Sequence, residues 1–496
     1  MSTRAPYSNA CHACRGMKVK CDERKPQCGR CTKARRICPG YRDANQVIFR
    51  SMNVRHASKT KASYLSQNHT VSDIAISDHV RGMELTPLAP RLLTQPSELW
   101  DTKAVSHFLH NYAFAPTKDS PGYLGFLPDL LGKNPSTRYL KSAVLAAGSA
   151  SLANMTGLDY LERAAKKYYG ETLLFISGAM KDPLEASSDA TLTAIVVLQI
   201  YEAIAGITSV SRDPHDKGLI ELSRLRGNVQ PNTDNGNALL GIIHSRLHNN
   251  AIGGLFPSPL GAEYDAEAVN IPTHQTELCR LMRETSQCCA EIQATVLVSS
   301  KVVVKSDVIK SLDNLFSVYR RLLAWWAAAH SSRSYRSYKM PSRSDCDFRP
   351  GTFPVKYHIF KSLHHGGIWI SFWCTLIYAL QILVCSSSLP ALKQTFNEGQ
   401  HSSWNFREQL CNAVDEICAC IPYMMSDVDQ SGLLTVGKDG KALGAYMLSR
   451  GLYVASCVAE CTNAQREYMI KTFLRIAHGR GIKLALRPIN RWLNQY

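Results

Sequence analysis

From about residue 99 onward, apolar residues recur at steps of three and four along most of the chain. This spacing is typical of helices that bury one face. Ser188 and Asp189 precede one such stretch and are expected to start its helix. Regular strand alternation with hairpin turns is missing, and the β-rich residues 296–304 lie inside a longer helical region. The pattern therefore predicts a mainly α protein whose large domain is all-α and built from stacked helices, with periodic stretches near 136–147, 158–180, 188–201, 237–250, 291–329, 357–385, 406–425, 442–461 and 465–486.

One stretch, residues 368–385, is uncharged and apolar over 18 residues. A membrane-spanning helix needs about 20 such residues. This run is shorter and contains the polar residues Ser371, Thr375 and Gln381. It is interpreted as a buried central helix, and no membrane partner is expected.

The N-terminal part of the chain has a different pattern, in which six cysteines follow a repeated spacing. Each half reads C-x2-C-x6-C, and the second half repeats the first. Thiols at C-x2-C spacing lie one helical turn apart on a short helix. A tetrahedral zinc site takes four ligands, so two zinc ions need eight ligand positions. Six sulfur atoms fill eight positions only if two of them bridge. The six candidate metal ligands are Cys11, Cys14, Cys21, Cys28, Cys31 and Cys38.

The internal repeat indicates which cysteines bridge. By symmetry they are the first cysteines of the two halves, Cys11 and Cys28. One zinc is then held by Cys11, Cys14, Cys21 and Cys28, and the other by Cys28, Cys31, Cys38 and Cys11. The alternatives are a disulfide framework and a redox C-x-x-C motif. The first needs an oxidising compartment, and no signal peptide is found. The second would not repeat with matched spacing.

The positive charge of the chain is concentrated around these cysteines. The whole chain has a formal net charge of +17. Residues 1–65 contain 15 Lys and Arg but three Asp and Glu, so they account for +12 of that total. A localised basic surface of this kind is typical of proteins that bind nucleic-acid phosphates.

Residues 9–41, with their six cysteines, their basic run 15–20 and Pro26, resemble the binuclear zinc cluster of fungal transcription factors. The resemblance implies two zinc ions and double-stranded DNA as partner. It assigns Lys18 to the major-groove edge of a CGG triplet, where guanine N7 and O6 accept hydrogen bonds. Arg15 and Lys20 are then expected to contact phosphates, together with Lys33 and Arg35 from the second helix.

The long C-terminal part resembles the fungal-specific regulatory domain that often follows such clusters. The resemblance implies a nuclear regulator of RNA polymerase II transcription that contacts the transcription machinery, with metabolic or secondary-metabolite genes as a frequent target set. The short motifs that carry it, in chain order, are at residues 126–128, 189–192, 201–202, 225–227, 421–423 and 479–482.

These patterns divide the chain into four parts. Residues 1–8 are expected to be a disordered tail, and residues 9–42 the zinc cluster. The polar residues 43–96 are interpreted as a flexible linker, and residues 97–496 as the helical regulatory domain. No heptad register of apolar residues follows the cluster, so a zipper-type dimer is not supported, although a homodimer is left open.

No catalytic motif is found, so an enzyme is not expected. Residues 432–439 come close to a phosphate-binding P-loop, but Asp439 replaces the Ser or Thr that would reach magnesium. A ligand-sensing regulator is kept as an alternative, in which Trp369, Phe372, Trp373 and Tyr378 line a small-molecule pocket. A metal-dependent or redox enzyme is the remaining alternative.

Overall fold

The structure is a computed structural model. It describes residues 11, 13–14, 17, 19–24, 27–34, 38, 97–117, 120, 122–133, 138–207, 214–226, 234–254, 273–298, 305–331, 335–339, 354–387, 405–433, 435 and 440–493. The chain forms two compact units, Met1–Pro87 and Leu88–Tyr496. The predicted tail 1–8 and linker 43–96 lie outside the described residues.

The first unit is small and has its cysteines as its core. A short helix, α1 (Gly29–Lys33), follows Cys28, whose side chain caps it by accepting a hydrogen bond from the Cys31 N–H. Five cysteines of this unit are buried, and the apolar residues packed against them are Ala13, Val19 and Cys21. So small an apolar core cannot stabilise the fold of this unit alone, and a metal ion or cross-link is usually needed.

The second unit is mainly helical, which confirms the predicted fold class. Its helices in the described residues are α2 (Ser97–Tyr112), α3 (Leu127–Lys133), α4 (Arg138–Thr156), α5 (Asp159–Ala179), α6 (Pro183–Ala186), α7 (Asp189–Ala205), α8 (Pro214–Arg226), α9 (Asp234–Gly254), α10 (Thr273–Val298), α11 (Lys305–Ser331), α12 (Leu363–Ser387), α13 (Phe406–Met424), α14 (Ala442–Ser456), α15 (Asn463–Leu474) and α16 (Leu486–Leu493). A π turn (Arg475–Gly479) and a 3₁₀ turn (Lys483–Ala485) lie between α15 and α16.

Helices α2, α4, α5 and α7 pack together at the N-terminal end of this unit. α4 is rich in Ala and Ser, and these small side chains, with Gly148, let its neighbours come close. At Gly148, an added Cβ would lie 2.1 Å from the backbone oxygen of Ala104. α7 begins as predicted: Ser188 is its N-cap, and its side chain accepts a hydrogen bond from the Thr191 N–H.

The uncharged run forms the central helix of the second unit. It lies within α12, whose residues Trp369, Phe372, Leu380 and Leu383 are buried. By length and hydropathy α12 could cross a membrane, but 78% of its most apolar window is buried inside the protein. Helices α10, α13 and α14 pack around it. The prediction of a buried central helix is confirmed.

One two-stranded antiparallel sheet was not predicted. Strand β1 (Tyr335–Lys339) pairs with β2 (Lys356–Phe360), in a register that aligns Tyr335 with Phe360. β2 packs on α13. There, His358 Nε2 lies 2.7 Å from Glu416 Oε2 and its Nδ1 lies 2.8 Å from Ser337 Oγ. The sheet was missed because strands of five residues are too short to show a clear alternation.

Candidate metal centre and nucleic-acid interface

The six cysteines of the first unit converge in two overlapping groups of four. One group is Cys11, Cys14, Cys21 and Cys28, and the other is Cys11, Cys28, Cys31 and Cys38. Within each group the sulfur atoms all lie within 4.8 Å of one another. Cys11 and Cys28 belong to both groups, and they are the pair that the sequence repeat selects as bridges.

The sulfur separations fit shared tetrahedral sites. A zinc ion with Zn–S bonds of about 2.3 Å has ligand sulfurs roughly 3.8 Å apart along each tetrahedral edge. Cys14 Sγ lies 3.8 Å from Cys28 Sγ in one group, and Cys11 Sγ lies 3.8 Å from Cys31 Sγ in the other. The two shared sulfurs, of Cys11 and Cys28, are 3.5 Å apart. The donor set therefore fits two zinc ions.

The backbone repeats the same hydrogen bonds in both halves. The Cys14 N–H donates to Cys11 Sγ at 3.4 Å, and the Cys31 N–H donates to Cys28 Sγ at 3.3 Å. In the same way, the Cys11 and Cys28 N–H groups donate to Cys21 Sγ and Cys38 Sγ, each at 3.5 Å. Such donors stabilise negative charge on sulfur. The sequence repeat is thus also a structural repeat.

The surroundings shift the pKa values of the cysteine thiols in different directions. Burial, with the neighbouring Cys11 thiol, raises the pKa of Cys14 to about 12. Burial also raises the pKa of Cys28. The backbone N–H of Cys11 lowers the pKa of Cys21 to about 7. Several thiolates in one buried cluster require cations, which divalent zinc supplies.

Two residues that sequence reasoning missed connect the halves. Asp22 Oδ2 accepts a hydrogen bond of 3.0 Å from the Gly29 N–H at the start of α1. A Cβ on Gly29 would lie 2.5 Å from that same oxygen, so a larger residue here would displace the Asp22 carboxylate. The sequence features that could have indicated this contact are an acidic residue next to Cys21 and a glycine directly after Cys28, at the start of the helix.

The candidate DNA contacts are only partly described. Lys20 and Lys33 are exposed, and Lys33 is the last residue of α1. Arg30, which was not among the predicted contacts, is also exposed on this helix. The other three candidates, Arg15, Lys18 and Arg35, lie outside the described residues.

The motifs that were discounted gain no support from the second unit. Within the described residues, the His, Cys, Asp and Glu side chains placed to hold a metal ion are the two cysteine groups of the first unit. Residues 432, 433 and 435 belong to a non-helical segment between α13 and α14, and the Gly432 carbonyl accepts a hydrogen bond from Tyr357. Gly437 and Asp439, at the end of the P-loop-like segment, lie outside the described residues.

Two family models match parts of this chain. Residues 9–47 match the model of the fungal Zn(2)-Cys(6) binuclear cluster domain. The first unit is therefore a binuclear zinc cluster, a DNA-binding domain with two zinc ions as cofactors. Residues 104–252 match the fungal specific transcription factor domain. The two matches follow each other in the order expected from the sequence, and they confirm the resemblance to fungal binuclear zinc cluster transcription factors.

One curated relative is similar to a short stretch of the chain. The chain is 42% identical over 43 residues to White-opaque regulator 2 of Candida albicans. That stretch covers 9% of this chain and 10% of the relative. No solved structure matches the chain.

Proposed function

We propose that this chain is a zinc-dependent, sequence-specific DNA-binding regulator of RNA polymerase II transcription in the nucleus. The observation that carries the proposal is the pair of four-cysteine groups that share Cys11 and Cys28. The proposed ligands are those two groups, one around each zinc ion. The concentration of basic residues in the same unit supplies the charge that binds phosphate.

Base reading is assigned to the first half of the cluster. Lys18 donates to N7 and O6 of a guanine in a CGG triplet. Arg15 and Lys20 contact the phosphates from the same half, and Lys33 and Arg35 contact them from the second. The exposure of Lys20 and Lys33 supports this role. The division is the usual one, in which phosphate contacts set position and base contacts set sequence.

The helical unit is proposed to connect DNA binding to the transcription machinery. The match of residues 104–252 to a transcription factor domain supports this role. A homodimer on paired CGG triplets is one form of the complex. A catalytic function has no comparable support.

The test measures binding of the full chain to two duplexes that differ only in the CGG triplet. We expect tight binding to the CGG duplex, loss of that preference after a zinc chelator, and recovery when zinc is added back. Recovery of binding after zinc is added back shows that the chelator did not damage the protein irreversibly. Equal affinity for the two duplexes before chelation would refute the proposal.

A further inference from the structure

A serine, a histidine and a glutamate from three different elements form a continuous hydrogen-bonded chain at the small sheet. Ser337 lies on β1, His358 on β2 and Glu416 on α13. Ser337 Oγ lies 2.8 Å from His358 Nδ1, and His358 Nε2 lies 2.7 Å from Glu416 Oε2. A hydroxyl beside a base that a third group orients is the arrangement that activates serine nucleophiles. The three residues are 21 and 58 positions apart, so no short motif reveals them.

The carboxylate of Glu416 fixes the direction of these hydrogen bonds. Burial raises its pKa, but hydrogen bonds and charge from His358 and Lys356 lower the pKa overall. An ionised carboxylate only accepts hydrogen bonds, so His358 Nε2 carries the hydrogen on that side. In the neutral imidazole, Nδ1 is then the acceptor, and Ser337 donates its hydroxyl hydrogen to it. The hydroxyl hydrogen therefore already points at the base.

The base is buried and held in place, whereas the serine is exposed. The side chain of His358 is 1% exposed. The centroid of its ring lies 4.6 Å from that of Tyr335 and 6.2 Å from that of Phe360. Ser337 is an exposed residue of β1. A reagent therefore reaches Ser337 from solvent while packing keeps the imidazole in its orientation.

Two lysines add positive charge on the same face of the sheet. The register of β1 and β2 places Ser337 opposite His358. It also places Lys339 opposite Lys356. Residues two apart on a strand share a face, as do residues directly opposite each other, so these four side chains lie on one side. Ammonium groups in such positions stabilise the negative charge that develops on a carbonyl oxygen under attack.

We propose that Ser337 is a nucleophile that accepts the acyl group of an activated carboxylic ester. Its Oγ bonds to the carbonyl carbon, and its proton passes to His358 Nδ1. The bond between the carbonyl carbon and the alkoxide then breaks, and the alkoxide takes that proton and leaves as an alcohol. Glu416 stabilises the imidazolium between these two steps. The product is an ester on Ser337, which gives the helical unit a covalent modification site that is independent of DNA binding.

The first experiment treats the full chain, without DNA, with a fluorophosphonate. An activated serine attacks its phosphorus and displaces fluoride, and peptide mass spectrometry locates the adduct. Ser431 is the internal control, because it is also exposed but its Oγ donates to a carboxylate, Asp429 Oδ1, at 2.6 Å. General base catalysis contributes about a hundredfold or more, so Ser337 should react at least about a hundredfold faster than Ser431. Equal rates at the two serines, or no adduct at Ser337, would overturn the proposal.

The second experiment tests the base. His358→Gln keeps groups that hydrogen-bond to Ser337 and Glu416 but has no nitrogen that takes up a proton. It should slow the reaction of Ser337 about a hundredfold. His365→Gln is the matched control, at a histidine whose Nδ1 lies 2.9 Å from another serine, Ser362 Oγ, and it should leave the rate unchanged.

Melting temperatures of both histidine variants are recorded alongside the rates. A folded His358→Gln protein that reacts at the wild-type rate would overturn the proposal. If His358→Gln does not fold, the comparison of Ser337 with Ser431 in the wild type still decides, because it needs no substitution.

The third experiment uses p-nitrophenyl acetate as the activated ester. Peptide mass spectrometry should find an acetyl group on Ser337 in the wild type and in Ser431→Ala, and prior treatment with the fluorophosphonate should prevent it. Acetylation of lysines and cysteines with Ser337 left unmodified would overturn the proposal, since those side chains react without the histidine. DNA binding does not enter this measurement, so its failure is distinguishable from failure of DNA recognition.

Discussion

At the scale of single residues, Lys18 and Lys20 illustrate two different uses of positive charge. A lysine that donates to a guanine edge distinguishes one base pair from another, whereas a lysine on a phosphate does not. The two positions are two residues apart in the same basic run. Their proposed roles therefore lead to opposite results in one binding assay.

We expect Lys18→Ala to reduce the preference for the CGG duplex by about 1–3 kcal/mol. Lys20→Ala should weaken binding to every duplex alike and reduce the salt slope by about one. Competition binding over a salt series measures both quantities. A Lys18→Ala protein that keeps its full CGG preference would remove Lys18 from base recognition.

Asp22 and Gly29 form a second residue-scale test, inside the cluster. Asp22→Ala removes the acceptor at the start of α1 and should cost about 1 kcal/mol of cluster stability. Gly29→Ala places a Cβ against that same carboxylate, so it should displace Asp22 and cost about the same hydrogen bond. The measurement is the chelator concentration at which DNA binding is half lost. In the Asp22→Ala background, Gly29→Ala should cost little cluster stability. If the two stability losses instead add up, Asp22 and Gly29 do not interact.

At the scale of elements, the packing of α2 on α4 depends on the absence of a side chain at Gly148. A Cβ there would contact backbone of α2, which cannot rotate away as a side chain can. We expect Gly148→Ala to lower the free energy of unfolding by about 1–3 kcal/mol. Gly170→Ala, in the middle of α5 with open space, should instead be neutral or stabilise by up to about 1 kcal/mol. Thermal denaturation of both variants is the measurement, and equal effects would contradict the packing.

The sheet is held to α13 through Glu416. Burial alone would raise the pKa of Glu416, but hydrogen bonds and charge from His358 and Lys356 lower it overall below the usual value of a glutamate. A carboxylate with a lowered pKa stabilises the fold above its unfolded pKa, and that stabilisation is lost as the pH falls through the folded value. Glu416→Gln should therefore reduce the melting temperature at pH 7. The difference in melting temperature between Glu416→Gln and the wild type should narrow below about pH 4.3. A difference that stays constant with pH would contradict this assignment.

At the scale of the whole molecule, the sequence predicted most where local rules dominate. Helical periodicity identified the large helical unit, and the Ser188 cap was recognised from two residues. The cysteine repeat indicated two metal sites because ligand number and spacing are nearly independent of the rest of the fold. The β1–β2 pair escaped detection because each strand has five residues.

The helical unit also has an open cavity of about 940 Å³, lined by residues of α7, α8, α9, α12 and α14, which could not be predicted for a different reason. Arg246 and Arg450 are far apart in the chain and come together only when α9 and α14 share the same space. Apolar patterning instead pointed to the aromatic residues of α12, which are packed in the core. Patterns along the chain report which faces are buried, but they do not report where packing leaves a gap.

The central claim is that two zinc ions share Cys11 and Cys28, and the metal content of the full chain tests it most directly. Native mass spectrometry should find two zinc ions per chain. Cys385→Ser, at an exposed cysteine of the helical unit, should retain both. Cys11→Ser should lose more than one ion, because it removes a ligand from both sites. Fewer than two zinc ions in the wild type, or two still bound after Cys11→Ser, would contradict the account.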